Sequence, residues 1–127
     1  MLPGTKKFIE LVGYSTFKEA WENCPRGDWM LEVAFYVMVD DRKLTLSKGL
    51  CANIVRHLME NQRSIEGVDT AIAYGKGLIH EEELEEFLDG AVSAAFAAAA
   101  KKENQKQTAD ICREVLTEEV FEKLNLK

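Results

Sequence analysis

The sequence has few of the residues that interrupt helices, and it has no long hydrophobic run. Proline occurs only at positions 3 and 25, and no Asn-Gly pair, a strong signal for a β-hairpin, is present. The longest mainly apolar stretches, 29–39 and 91–100, are shorter than the roughly 20 residues that a membrane-spanning helix needs. The sequence therefore predicts a helical protein that does not cross a membrane.

Cysteine and histidine are also scarce, which argues against catalytic and metal sites. Neither His57 nor His80 has the partners that a zinc site needs at helical spacing. Gly75-Lys76-Gly77 lacks the other residues of a phosphate-binding loop, and no Gly-x-Ser-x-Gly occurs. The three cysteines form no Cys-x-x-Cys motif and are predicted to be reduced, inert thiols: Cys24, Cys51 and Cys112. We therefore predict no enzyme activity, no metal and no cofactor.

The charge balance limits the kinds of partner. The 127 residues include 16 Lys and Arg against 22 Asp and Glu, a net charge of −6. This excess of negative charge disfavours nucleic acid, whose phosphates need a basic surface, and it permits a basic protein partner. The first ten residues contain no long apolar segment of the kind found in signal peptides, so we expect a cytoplasmic protein.

Hydrophobic periodicity predicts one domain, residues 1–127, built as a compact all-α array or bundle of about six to seven helices without a sheet. A first helix should end before Gly13, and Thr16 with Glu19 should form a capping box for the second. Residues 29–39 fit either a buried helix or a buried strand, and the helical context favours the helix.

Several helix boundaries follow from polar residues and glycines. Residues 40–43 are predicted to form a polar turn, and a long helix should follow, with a buried stripe of Leu46, Leu50, Ile54 and Leu58. The next helix should begin near Ser64 and end at Gly75 and Gly77. One helix is expected from His80 to Lys102, and Thr108 and Thr117 should cap two separate helices at the C-terminus.

The helix predicted to begin at His80 has a strongly acidic first half. Carboxylates at a helix N-terminus are stabilised by the macrodipole, so solvation alone accounts for them. A more specific interpretation is a surface for a basic partner, made of Glu81, Glu82, Glu85, Glu86 and Asp89.

Residues 21–31, W-E-N-C-P-R-G-D-W-M-L, have the composition of a functional motif, but their chemistry predicts a corner between two helices. Pro25 should end one helix, Gly27 should give the turn freedom, and Asp28 should cap the next helix. Arg26 is expected to bind the carbonyls left free at the first helix end, and the tryptophans should pack into the core. The Arg-Gly-Asp triplet is not interpreted as an adhesion site, because no secretion signal accompanies it.

The same stretch, F-x-x-A-W-E-x-C-P-R-G-D-W-x-L, resembles the signature of a family of small, Ala-rich, all-helical bacterial immunity proteins linked to polymorphic toxin systems. The matching residues are Ala20, Trp21, Cys24, Pro25, Arg26, Asp28 and Trp29. A looser similarity continues through residues 50–52, 65–77 and the C-terminal helix, although the alanine tract is shorter than in the family.

This resemblance implies neutralisation of a toxin by binding rather than by catalysis, and it supplies no functional residues to transfer. The alternative is a helical scaffold or homo-oligomerisation module without a toxin partner.

Overall fold

The computed structural model describes residues 3–126, without the side chains of residues 3, 88–92 and 96. This part of the chain contains eight α-helices and no β-strand, which confirms the predicted all-α class. Single 3-10 turns at Arg56–Leu58 and Lys102–Asn104 precede α5 and α8. The helices are α1 (Pro3–Val12), α2 (Phe17–Asn23), α3 (Gly27–Tyr36), α4 (Asp41–Asn53), α5 (Gln62–Gly75), α6 (Glu81–Glu85), α7 (Leu88–Ala100) and α8 (Gln105–Lys123). None of the described helices combines the length and the apolar character needed to cross a bilayer.

The main core lies between α3, α4 and α8, and α1, α2, α5 and α7 close it from the sides. Phe8, Phe17 and Trp21 form an aromatic cluster, with ring centroids 5.3–6.2 Å apart. The indole of Trp21 is fully buried, and its Nε1–H donates to the hydroxyl of Thr117 at 2.8 Å. This bond ties α2 to α8 and satisfies a polar atom that burial would otherwise leave unpaired.

The signals for helix ends are confirmed at several places. Gly13 and Gly77 adopt φ values of +89° and +79° after α1 and α5, which glycine tolerates far better than other residues. α2 ends at Asn23, before Pro25. The hydroxyl of Thr16 accepts from the N–H of Glu19 at 3.2 Å and donates to its carboxylate at 2.9 Å. Thr16 therefore caps α2 as predicted, but the Glu19 carboxylate bonds to the Thr16 hydroxyl and not to its backbone N–H, so the reciprocal half of the predicted capping box is not formed.

The ambiguous segment 29–39 is helical as far as Tyr36, so the preference for helix over strand is confirmed. The chain then turns through Met38, whose φ of +63° is unusual for a residue with a side chain. The N–H groups of Met38 and Val39 bond back to the carbonyls of Phe35 and Ala34, at 3.1 and 3.3 Å. These bonds satisfy the open end of α3.

The predicted polar turn at 40–43 is wrong, because α4 begins at Asp41 and ends at Asn53. The predicted apolar stripe is wrong as well: Leu46, Leu50 and Ile54 are only half-buried, and Leu58 lies exposed beyond the helix. The face of α4 that is buried carries mainly small or polar side chains: Leu44, Thr45, Ser47, Gly49, Cys51 and Ala52. α4 packs chiefly against α5 and α7, which also contribute small side chains, so bulky residues do not fit between these helices.

Three further boundaries differ from the predictions. α5 begins two residues early, at Gln62, because the side chain of Asn61 accepts from the N–H of Arg63 at 2.8 Å. The helix expected over 80–102 is divided into α6 and α7 by a turn at 86–87. The two expected C-terminal helices are one, α8, and both threonines lie within it: Thr108 and Thr117 donate to backbone carbonyls one turn earlier. A threonine hydroxyl can either cap a helix or bond within it, and sequence alone does not distinguish the two.

Candidate functional site

The stretch that carries the family resemblance builds the corner between α2 and α3, as predicted. Cys24 is 1% exposed, and its thiol donates to the carbonyl of Arg26 at 3.4 Å. Burial raises the pKa of this thiol to about 11, so it stays protonated at neutral pH. Cys24 is therefore an inert packing group, and not a nucleophile.

The predicted roles of Arg26, Gly27 and Asp28 are wrong. Gly27 is the first residue of α3 and has no positive φ, and a side chain there would clash with Thr108. Arg26 occupies the N-cap position of α3, and Asp28 lies in its first turn without capping it. The two side chains form a two-pronged salt bridge, with Nε–Oδ1 and Nη2–Oδ2 distances of 3.0 and 2.7 Å. The guanidinium also stacks over the ring of Trp29, 4.8 Å from its centroid. Because the helix begins two residues earlier than expected, at Gly27, the carboxylate faces Arg26 and not the free N–H groups.

The carbonyls at the end of α2 are bound by a residue that the sequence did not single out. Arg113 of α8 donates through Nη1 to the carbonyls of Cys24 and Trp21, at 2.8 and 3.3 Å. Its Nη2 donates to Asp110 at 3.0 Å. The sequence contains no signal for this contact, because Arg113 lies 89 residues after Cys24 and 92 residues after Trp21. Arg113 performs the role predicted for Arg26.

The two tryptophans differ in burial, which corrects the prediction that both pack into the core. Trp21 is fully buried, whereas Trp29 is half-buried and packs against the edge of the core. The loss of about 3–5 kcal/mol typical of truncating a buried aromatic therefore applies to Trp21. Trp29 contributes one wall of a surface groove between α1 and α3.

The acidic helix α6 is held by one buried side chain. Leu84 is 2% exposed and packs with Ala71 and Tyr74 of α5, which form a small cluster beside the main core. Arg63 fixes the following turn: it donates to the carbonyl of Glu86 at 2.9 Å and lies 3.6 Å from its carboxylate. α6 is thereby presented as an ordered surface element.

The predicted partner-binding carboxylates on α6 and in the turn after it are exposed: Glu81, Glu82, Glu85 and Glu86. Glu86 pairs with Arg63, and Glu83 accepts from the N–H of His80 at 3.3 Å at the start of the helix. The side chain of Asp89, the fifth predicted residue, lies outside the described residues. We call Glu81, Glu82, Glu85 and Glu86 the acidic surface.

The acidic surface continues towards the start of α4. The hydroxyl of Tyr74 donates to Asp41 at 2.8 Å. Burial, this bond and the nearby charge of Glu81 together raise the pKa of Tyr74 to about 12. Tyr74 therefore stays neutral: its hydroxyl bonds to Asp41 of α4, and it packs in the same buried cluster as Leu84 of α6.

An apolar groove of about 390 Å³ lies between α1 and α3. Phe8 and Val33 form its floor, and Leu11, Trp29 and Tyr36 form its sides. The two helices approach closely, because a Cβ atom added to Gly4 would lie only 2.6 Å from Cγ of Tyr36. The charged residues at the groove, Lys7 of α1 and Glu32 of α3, are both exposed.

A second and wider groove, of about 880 Å³, lies between α4 and α8. Its apolar residues include those of the predicted stripe on α4, namely Leu46, Leu50 and Ile54, and they face Ile111 and Val115 of α8. All five are half-buried. The stripe that the sequence predicts to be core is thus the wall of a surface groove.

The remaining side chains that could react or bind a metal are either far apart or buried. Ser47 donates to Cys112 at 3.5 Å, and Cys112 and Cys51 bond to the carbonyls of Gly27 and Thr108. The thiol of Cys51 also interacts with that of Cys112, and this hydrogen bond, together with burial, raises the pKa of Cys51. His57 and His80 are exposed, and among the described residues no group of three or more His, Cys, Asp or Glu could hold a metal ion.

Comparison with known proteins gives no match: no family model, no curated protein and no solved structure is similar to this chain.

Proposed function

We propose that this chain is an immunity protein, a non-catalytic cytoplasmic protein that binds a basic bacterial toxin and thereby neutralises it. The observation that carries the proposal is the acidic surface, which is exposed and is presented by a helix anchored through Leu84. The resemblance at residues 17–31 supplies the class of partner. The net charge of −6 agrees with a basic one.

The contacts of the acidic surface indicate which of its residues are free to bind. Glu86 is engaged by Arg63, so its substitution would disturb the turn after α6. Glu81, Glu82 and Glu85 form no ion pair with any residue that the structure describes. Carboxylates of this kind raise the association rate with a basic protein and make binding weaker at high salt.

The test first isolates a partner: the tagged chain is used to capture it from the native host, and the captured protein is then purified for binding measurements. The triple variant Glu81→Lys, Glu82→Lys, Glu85→Lys should weaken binding by roughly 10-fold or more and reduce its salt dependence. It should also fail to protect cells that express the partner. The matched control is Glu114→Lys, Glu118→Lys, Glu122→Lys on α8, which reverses three other exposed charges and gives the same net charge.

Two results contradict the proposal. If the isolated partner is not toxic to cells that lack this chain, the protein is not an immunity protein. If both triple variants protect cells equally, the acidic surface is not where the toxin binds.

A second function, self-association as a helical scaffold, is favoured by a different observation. Several large apolar side chains near the α1–α3 groove are exposed, among them Leu11, Phe35 and Tyr36. Such side chains are characteristic of surfaces that another molecule covers.

A further inference from the structure

The exposed apolar surface along α1 and α3 is concentrated beside the groove. Leu11 and Tyr36, which line the groove, are each 49% exposed, and Phe35 is 65% exposed. The rings of Phe35 and Tyr36 lie 6.1 Å apart, so they present one continuous aromatic surface. We call Leu11, Trp29, Phe35 and Tyr36, together with the groove, the α1–α3 face.

The edge of this face is polar, as is typical of protein–protein contacts. At one end Arg26 stacks on Trp29 and is fixed by Asp28, so a guanidinium is held beside the groove. An apolar centre that is rich in aromatic side chains and has a polar rim matches the composition of interface cores. The α1–α3 face therefore suits a protein partner better than it suits solvent.

The charges at the groove indicate which protein would cover it. Gly4 near the start of α1 packs on Tyr36 at the end of α3, which places the two helices antiparallel. Lys7 and Glu32 both line the groove, and each lies near the middle of its helix. Neither side chain forms an ion pair within the part of the chain that the structure describes. The face thus offers one free cation and one free anion on opposite helices.

This arrangement is complementary to itself. A two-fold axis that runs along the groove, midway between α1 and α3, would place Lys7 of one copy against Glu32 of the other, and it would form the same pair a second time. A partner with charge of only one sign would instead bring a like charge against either Lys7 or Glu32, which is unfavourable. A second copy satisfies both charges and covers the exposed aromatic side chains.

We propose that the α1–α3 face joins two copies of this chain in a two-fold symmetric dimer, with reciprocal Lys7–Glu32 pairs around an apolar centre. The dimer contact uses α1 and α3, whereas the acidic surface proposed for the toxin lies on α6, which Leu84 anchors to α5. The α4–α8 groove is a weaker candidate for such a contact, because its apolar side chains are already half-buried.

The first experiment measures the mass of the full chain by sedimentation equilibrium from low micromolar to millimolar concentration. The wild type should show a monomer–dimer equilibrium. Lys7→Glu and Glu32→Lys should each weaken the dimer by roughly 10-fold or more, since each places two pairs of like charges across the axis. An equimolar mixture of the two variants should recover the dimer, now as a heterodimer that native mass spectrometry identifies.

The controls reproduce the same changes away from the face. Lys76→Glu and Glu66→Lys alter exposed charges on or beside α5 and should leave the dimer unchanged. Leu11→Glu should abolish the dimer, whereas Leu78→Glu, at a residue that is 72% exposed after α5, should not. Circular dichroism establishes that each variant is folded.

The proposal is overturned if the wild type is monomeric at every concentration, or if the single charge reversals leave the dimer unchanged. It is also overturned if mixing the two reversed variants does not restore association, because the pairs would then not lie across a two-fold axis. Loss of the dimer in the Leu78→Glu control would place the contact elsewhere.

Discussion

At the scale of single residues, the corner between α2 and α3 depends on a side chain from the far end of the chain. Arg113 lies on α8 and donates to the last carbonyls of α2 and, through its other nitrogen, to the carboxylate of Asp110. These carbonyls have no partner in their own helix, because each helix leaves its final C=O groups free. The corner is therefore a tertiary feature, although Pro25 alone is sufficient to end α2.

The first prediction concerns this contact. Arg113→Ala should lower the free energy of unfolding by about 2 kcal/mol, because it leaves partly buried carbonyls unpaired and removes charge-assisted hydrogen bonds. Urea denaturation measures the change. Lys106→Ala is the matched control, since Lys106 also pairs with Asp110 but its side chain is 91% exposed. A change of similar size in both variants would show that Asp110, and not the carbonyls of α2, is the important partner.

Residues whose effect is local were predicted well, and residues whose effect depends on distant partners were not. Gly13, Pro25 and Gly77 act on their own backbone, so the sequence is sufficient to place them. Asp28 and Trp29 were assigned incorrectly, because their partners and burial depend on where neighbouring helices lie.

At the scale of helices, close packing between α4 and α7 explains why the buried face of α4 is poor in large side chains. Ala95, Ala98 and Ala99 of α7 are almost completely buried, as are Ser47 and Cys51 of α4. Small residues let two helix axes approach, and the interior stays dense without bulky groups. The conventional stripe of Leu46, Leu50 and Ile54 is left at the surface for this reason.

The second prediction tests this packing with one change at two positions of the same helix. Ala95→Leu should destabilise the protein by about 1–3 kcal/mol, because a closely packed interface cannot accept three more carbon atoms without rearrangement. Ala97→Leu, at an exposed position, should have little effect. Thermal unfolding compares the two, and equal melting temperatures would contradict close packing of α7.

At the scale of the whole molecule, burial of thiols makes the folded state sensitive to alkaline pH. All three cysteines are free and buried, as small apolar groups of the core. Burial raises the pKa of Cys24 from 9.0 to about 11, so the unfolded chain loses this proton before the folded chain does. The folded state then binds more protons, and its stability must fall as pH rises through this interval.

The third prediction follows from that sign. Below about pH 9 the ionisation of Cys24 should not change the free energy of unfolding. Between pH 9 and 11 this ionisation should make the free energy of unfolding decrease. Cys24→Ala should make the decrease shallower, as measured by denaturant titrations at a series of pH values. Tyr74 contributes a similar effect at higher pH, since its pKa is raised to about 12. An unchanged pH dependence in Cys24→Ala would mean that this thiol ionises equally in both states.

Sequence alone was sufficient to predict the all-α class, the exposure of the acidic surface and the helix ends marked by Gly13, Thr16, Pro25 and Gly77. These properties follow from local backbone preferences, from hydrophobic periodicity and from the cost of burying charge. The positions of the helices in space were needed to establish which face of α4 is buried, that Arg113 completes the corner, and that Trp29, Lys7 and Glu32 share one groove. Each of these depends on the distance between helices that are remote in the chain, and that distance is set by the packing of all the side chains between them.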